Sequence, residues 1–597
     1  MLDKQVNIYS VDTGNFYSNN ERYLHNMNCK YRQERNYLKN QINDIQKKLI
    51  EFGIDECCFN SIKKGKFDDF EYDKYNHDIQ NVINQYYKIN KLIEHKRHKA
   101  NESKQKMLEL LKHKVNQNIY TNGKDHIREL NPDTLNDNNI ISIFDSDITR
   151  VLGIKQDTLS DDLIVVQVYY FDVFKDMLLH GFIYKGERYI YYTSSAGQIR
   201  KKKAVFINEK QWLKNQKTLM CGLTIDMINA KGGNNINKFL AYTALTSSST
   251  DLWNDFDIDK CIVVDDFETN VEGEFDYIND VTYEIKRITN TVPIPHMDGA
   301  GIMLPSVSKK NFMIRMPFVK GLLCVFDFVE LIKEKNWNPI VKDIYGIEHD
   351  VISEGITIIL TKSQFKLYKF YDSWEQYKSF FKKYNCSAGI CKIEEDVIPD
   401  ATINYQMLQS LTDITDDEID AIVNKSVERV KNVCNSIDTM KNILGATAYN
   451  TNMTSFQKSV SIYPALLKDT YSKDVLRDVK NSLVKKYRSG KLEIKSKYTF
   501  ILPDVYAFCE WLFGKIENPN GLLNDKEVYC RLFKKYPKLD CLRSPHLYKE
   551  HAIRINTACK ENADDERLNE LNKWYTTDGL YASTKDLISR VLQYDRP

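Results

Sequence analysis

What is scarce in this sequence does the first sorting. Proline and glycine number 13 and 23 in 597 residues. Neither gathers into a linker or low-complexity tract, which excludes collagen-like and Pro/Gly-rich disordered chains. Uncharged apolar runs are short. Leu163 to Phe171 has the length of a strand, and Gly321 to Ile332 is interrupted by Asp327 and Glu330. No run approaches the roughly 20 apolar residues of a membrane helix. Excess charge of one sign is missing too: Lys+Arg total 84 and Asp+Glu 82, a net +2. That rules out a globally basic nucleic-acid coat and leaves local patches open. The 13 cysteines are scattered, and no CxxC occurs. A disulfide framework and a four-Cys zinc ribbon are thereby unsupported, and free thiols in a reducing compartment are expected. The opening MLDKQVNIYS does not read as a secretory leader, so a cytoplasmic location is expected.

What is present is ordinary globular composition, 42% apolar, 28% charged and 12% aromatic. At about 150 residues per domain it suggests several domain-sized units. Residues 1–130 read as a helical, coiled-coil-like arm. Within it, Tyr37 to Phe52 and Val82 to Val115 carry apolar residues at helical spacing, and Asp55 to Tyr72 interrupts them. A helical hairpin is therefore expected. Its basic stretch Lys96-Arg97-His98-Lys99 reads as a solvated face, or alternatively as a contact to a partner or nucleic acid. Residues 131–280 read as mixed α/β, with strands at Leu163 to Tyr170, Arg188 to Thr193 and Cys261 to Val264. Residues 281–400 are strand-rich, at Phe312 to Met316, Leu322 to Phe326 and Ile356 to Leu360. Residues 401–495 turn helical and 496–597 are mixed, for an α+β class overall.

Familiar catalytic signatures are absent: there is no P-loop, GxSxG elbow, HExxH or EF-hand loop. His546 and His551 have the wrong spacing for two metal ligands on one helical face. Asp255, Asp257 and Asp259 would share one face of a strand, either to bind a divalent ion or to line a solvated edge. Composition and spacing alone stop at a large α/β protein able to hold phosphate.

An ordered set of short segments goes further. Asp298-Gly299-Ala300-Gly301 precedes Phe312-Met313-Ile314-Arg315, which runs on to Lys320-Gly321. Ser363-Gln364-Phe365-Lys366, then Cys541-Leu542-Arg543-Ser544-Pro545-His546-Leu547, then Leu592-Gln593-Tyr594-Asp595 follow. This order resembles the two-barrel RNA polymerases, among them the cell-encoded RNA-dependent RNA polymerases of RNA silencing. It also resembles the YonO-like single-chain RNA polymerases of bacteriophages and prophages. Leu240-Ala241-Tyr242, Ser247-Ser248-Ser249, Val264-Asp265-Asp266-Phe267-Glu268-Thr269 and Pro503-Asp504-Val505-Tyr506-Ala507-Phe508 add to the resemblance. It extends from about residue 235 to the end, and the helical first 130 residues add little. It implies a first double-psi β-barrel in 281–400, a helical insertion in 401–495 and the start of a second, incomplete barrel in 496–597.

The resemblance also implies roles. Nucleotidyl transfer builds negative charge on attacking and leaving oxygens, which metal ions and cationic side chains neutralise. By resemblance Lys320 and Lys366 are the catalytic lysines, with Lys362 and Lys369 as alternatives for the second. Arg543 lies near the incoming ribose, where a guanidinium can hydrogen-bond a 2′-hydroxyl, and Pro545 fixes its loop. Tyr548 stands where many relatives have His. Asp298, Gly299, Gly301 and Gly321 shape the turn beside the site. Asp595 matches the first metal-binding aspartate of an Asp-x-Asp-Gly-Asp loop, and Arg596-Pro597 follow it. One carboxylate does not hold Mg²⁺ well. The expectation is thus a template-directed RNA polymerase truncated at its catalytic loop, inactive alone, with Mg²⁺ as cofactor only when complete. Implied partners are a nucleic-acid template, DNA rather than RNA, ribonucleoside triphosphates, and a downstream chain completing the second barrel. The competing expectation is a non-catalytic nucleic-acid-binding or structural protein on a degenerate polymerase fold.

Overall fold

The computed structural model describes residues 5–585 except residues 71, 122–125, 397, 399, 404, 410, 449, 451–452 and 543–551. The chain forms two compact units. One comprises Asn7–Ser142 and Leu159–Lys214, the other Met1–Val6, Ile143–Thr158 and Asn215–Pro597.

In the first of these units, helices Asn19–Glu51 and His77–Tyr120 form the expected hairpin. Neither contains glycine or proline, so nothing breaks them. Ser18 and Glu21 cap the first helix reciprocally through side chain and backbone. The pairing is antiparallel: Asn28 Nδ2 donates to Ala100 O at 2.5 Å, Lys96 meets Glu34 at 2.6 Å, and Gln46 Nε2 donates to Tyr86 OH at 3.1 Å. Ile42, Ile45 and Leu49 bury their stripe against Ile83 and Tyr86. A strand, Gln5–Asp12, precedes the hairpin, which the helical reading of this stretch does not anticipate. Its buried Val6, Ile8 and Val11 alternate only loosely, and it pairs in parallel with Leu159–Gln167. Together with 128–129, 182–184, 187–193, 203–208 and 140–144 these two strands make a seven-stranded sheet.

The other unit carries two mixed sheets. The larger has seven strands in the order 251–252, 389–393, 312–316, 319–325, 300–303, 358–361, 261–264. The smaller has five, in the order 501–503, 580–582, 527–529, 552–556, 538–541. One apolar core joins them, with Ile262, Phe267 and Phe326 on one side and Leu502, Tyr529, Trp574 and Tyr581 on the other. Phe326 and Trp574 stack with ring centroids 5.5 Å apart. Between the sheets in sequence, helices Asp416–Asn432, Ile437–Leu444, Ser455–Ile462 and Thr470–Arg488 bear out the helical reading there. Asp255 to Asp259 is not a strand. Asp257 caps a 3₁₀ turn at Ile258–Lys260 and Asp259 pairs with Lys382 at 2.9 Å, so the three carboxylates share no strand face. Among the described residues no helix is long and apolar enough to cross a membrane.

Candidate active site

The site is built from two strand connections. Phe312–Met316 and Val319–Val325 form a hairpin in which Arg315 faces Lys320. Its turn is closed at Pro317-Phe318, where Phe318 takes φ +61°. Val319–Val325 also runs parallel to Ala300–Met303, and Leu322 N donates to Gly299 O at 2.9 Å. On the far side, Val319 bridges Phe365, and Lys366 N donates to Phe318 O at 2.8 Å. Lys320 and Lys366 therefore leave the backbone from touching segments, one residue either side of that bridge. Lys320 is exposed, whereas Lys366 is half-buried and its ammonium donates to Ser363 O.

Gln364, between those segments, explains the glycines. It is fully buried; its Oε1 accepts from Thr361 N at 3.1 Å and its Nε2 donates to Leu322 O at 3.0 Å. A Cβ on Gly321 would fall 2.3 Å from Gln364 Nε2 and 2.4 Å from Gly299 O. One on Gly301 would fall 2.5 Å from Ile359 O and 2.6 Å from Gln364 Oε1. No side chain fits such approaches, so glycine is required at both. Asp298 is half-buried at the start of this turn. Ser363 completes the lock by accepting from Gly299 N at 2.8 Å, and Thr361 Oγ1 donates to Ala300 O at 2.8 Å. The three separate motifs are thus one hydrogen-bonded structure. Sequence reasoning assigned nothing to Gln364, although a glutamine inside a Ser-x-x-Lys segment was the available signal.

Asp265 and Asp266 close the opposite edge. Lys362 Nζ lies 2.8 Å from Asp265 Oδ1, and Ser363 N donates to Asp266 Oδ1 at 3.0 Å. The hydrogen bond that Lys362 donates to Asp265 holds the Lys362 pKa above the usual lysine range, against the opposing effect of partial burial. Lys362 and Lys369 both also lie over the Tyr368 ring, at 5.5 and 5.9 Å from its centroid. Arg543, Pro545, Tyr548 and Asp595 lie outside the described residues. Among the described residues no group of three or more His, Cys, Asp or Glu side chains could hold a metal ion.

The smaller sheet contributes scaffolding. Asp504 is fully buried and caps helix Val505–Leu512 through Ala507 N at 3.1 Å. It also accepts from Leu522 N at 3.0 Å and Tyr575 OH at 2.7 Å. Burial pushes its pKa up and these hydrogen bonds oppose the rise. Its partners explain it as a structural carboxylate. Asn311 bridges the two sheets, its Nδ2 donating to Glu394 Oε1 at 2.8 Å and Thr577 Oγ1 at 2.7 Å, its Oδ1 accepting from Val325 N at 2.8 Å.

The family model for RNA dependent RNA polymerase matches residues 126–547. The whole chain is 43% identical over 597 residues to the DNA-directed RNA polymerase YonO of Bacillus phage SPbeta. It spans 63% of that protein's length. Similarity thus covers the helical hairpin as well, beyond the region from about residue 235 that the motifs carry.

Proposed function

From a chain that belongs to the RNA-dependent RNA polymerase family, we propose template-directed RNA synthesis as its function, with Lys320 and Lys366 acting on the phosphates. The observation carrying this is their placement on either side of the Val319–Phe365 bridge, beside a glycine turn that lets the backbone approach closely. In the proposed reaction a 3′-hydroxyl oxygen bonds to the α-phosphorus of a ribonucleoside triphosphate, the bond to pyrophosphate breaks, and the hydroxyl proton passes to solvent. Both ammonium groups would meet charge that grows during transfer, where a fixed cation lowers the barrier most. Lys362, paired with Asp265, is read as positioning the segment.

The larger sheet is proposed to be the first double-psi β-barrel and the smaller to belong to the second, with 281–400, 401–495 and 496–597 as the working limits. By resemblance, Arg543 and Pro545 would face the incoming ribose. A DNA template is carried over from the name of the phage relative, and a cytoplasmic setting goes with it. Mg²⁺ is the cofactor the resemblance calls for. Asp265 and Asp266 are committed to Lys362 and Ser363, and the described residues supply no metal cluster, so no step is derived through a metal.

The test is labelled-ribonucleotide incorporation on duplex DNA and on RNA. The chain is assayed alone and together with the portion of the phage relative that its match does not reach. Synthesis on DNA that is lost in Lys320→Ala and in Lys366→Ala, with template binding retained, is the expected result. Synthesis indifferent to both substitutions would end this reading.

A further inference from the structure

A cleft of about 800 Å³, whose lining includes neither Lys320 nor Lys366, lies between the two-stranded sheet of Asp400–Thr402 and Glu493–Lys497 and the five-stranded sheet. We propose that it binds single-stranded nucleic acid, holding phosphates on lysines and stacking bases on two tyrosines. The proposal rests on the polymerase reading for the source of the strand.

Charge is the first observation. The chain as a whole is nearly neutral, at 84 basic against 82 acidic residues. The cleft lining instead holds five lysines against one aspartate, Asp540. Lys497 is occupied, 3.0 Å from Asp400 Oδ1 and donating to Ile398 O at 2.6 Å. Lys486 and Lys491 enter from the helical side, Lys495 from the strand between, and Lys538 from the facing sheet. Cations arriving from several elements onto one concave surface match a phosphodiester chain, which carries a charge at every nucleotide.

Ring placement is the second. Tyr498 is 61% exposed, yet its hydroxyl donates to Thr402 O, so the ring is held while its surface faces solvent. Tyr536 is 38% exposed, and Lys495 Nζ sits 4.7 Å from its centroid. Asn556 Nδ2 donates to the Tyr536 carbonyl at 3.3 Å and anchors that turn. Fixed, exposed rings interleaved with lysines favour unpaired bases, whose faces are open, over a duplex, whose faces are hidden in the stack.

The experiment measures fluorescence anisotropy of the full chain with a 12-nucleotide dT strand, an abasic strand of equal length, and a duplex. The dT strand is expected to bind tightest. Lys491→Glu/Lys538→Glu should weaken dT and abasic strands alike, by about tenfold or more at low salt, with a shallower salt dependence. Tyr498→Ala/Tyr536→Ala should weaken dT by about tenfold and leave the abasic strand unchanged. Tyr498→Phe/Tyr536→Phe keeps both ring faces while removing the Tyr498 bond to Thr402 O, and should lower dT affinity by no more than about threefold, a control that separates stacking from folding. Equal loss of dT and abasic binding in the alanine pair would overturn the proposal. So would unchanged binding in the lysine pair, or a polyglutamate peptide competing as well as dT, which would make the cleft a docking site for acidic protein. None of these readouts depends on Lys320 or Lys366, so failure here is distinct from failure of the polymerase reading.

Discussion

Lys362 Nζ stands 2.8 Å from Asp265 Oδ1, an ion pair that ties the start of the second lysine segment to the end of strand Cys261–Val264. It gives Lys362 a structural occupation, while Lys366, whose ammonium donates to Ser363 O, is the lysine proposed to act on phosphate. The two should separate in experiment. On the proposed polymerase reading, and with the portion of the phage relative beyond the match supplied, Lys366→Ala should lower nucleotide addition by roughly a hundredfold, as loss of other charge-stabilising groups does. Lys362→Ala should lower the melting temperature slightly and leave the rate within about threefold, since part-exposed ion pairs contribute about 1 kcal/mol or less. Rate measurements showing Lys362 critical and Lys366 indifferent would shift the register of the motif by one turn.

Gly321 is the position where a methyl group should do most harm. Its added Cβ would meet Gln364 Nε2 at 2.3 Å and Gly299 O at 2.4 Å, and the second of these is backbone. Gly321→Ala should cost about 1–3 kcal/mol, the usual range for overpacking. Gly321→Ala combined with Gln364→Ala should recover little, because the carbonyl clash persists and Leu322 O loses its donor. Urea unfolding of Gly321→Ala, Gln364→Ala and the double variant decides this. Full recovery in the double variant would mean that Gln364 alone dictates the glycine.

The lysine hairpin is legible in the sequence because β-branched and aromatic residues surround Lys320-Gly321 and the turn signals flank it. Gln364 is not legible. A glutamine reads as exposed, and its burial depends on Thr361 and on Leu322, the latter 42 residues away. Strand Gln5–Asp12 is hidden for the same reason: its partner, Leu159–Gln167, lies far along the chain, and local polarity favours a helix or loop. Asp255 to Asp259 misleads in the opposite direction. The alternation is real, but Asp257 spends its side chain on a turn. The helical hairpin shares in the similarity to the phage polymerase while offering no motif, since solvated helix faces tolerate exchange among many polar residues.

Acid should loosen the cleft before it unfolds the sheets. The hydrogen bond from Lys425 holds the Asp400 pKa below the usual carboxylate range, burial opposes this, and Lys497 adds to the lowering. A depressed carboxyl pKa contributes stability that is present above the unfolded value, near 3.9, and lost as pH falls through the folded one. Amide exchange in Glu493–Lys497 should therefore accelerate selectively below about pH 4. Asp400→Asn should show the faster exchange already at neutral pH. Identical exchange in variant and parent at pH 7 would remove the Asp400–Lys497 pair as a clamp.

The bridge between the two sheets should prove the most sensitive polar site. Every hydrogen-bonding group of the Asn311 side chain is engaged, with Glu394, Thr577 and Val325 as partners. Asn311→Leu keeps the approximate size and leaves three buried groups without that partner. Thr577 Oγ1 keeps Tyr581 OH at 2.7 Å, so two groups are left unsatisfied, and at 1–3 kcal/mol for each a loss of about 2 kcal/mol or more is expected. Asn311→Asp tests the electrostatics separately, by setting a second carboxyl against Glu394 Oε1, which Asn311 Nδ2 now approaches to 2.8 Å. Burial already raises the Glu394 pKa, with the hydrogen bonds from Asn311 working against it. The contribution of a carboxyl raised in this way is fully present below its unfolded pKa, near 4.3, and lost as pH rises through the folded value. Two adjacent buried carboxyls raise one another further. Asn311→Asp should consequently be much closer to the parent at pH 5 than at pH 8 in urea unfolding, whereas Asn311→Leu, which removes one hydrogen bond to the Glu394 carboxyl and adds no second carboxyl, should show the same trend more weakly. An Asp variant with no pH dependence would mean that Glu394 is neutral throughout and that the bridge works by shape alone.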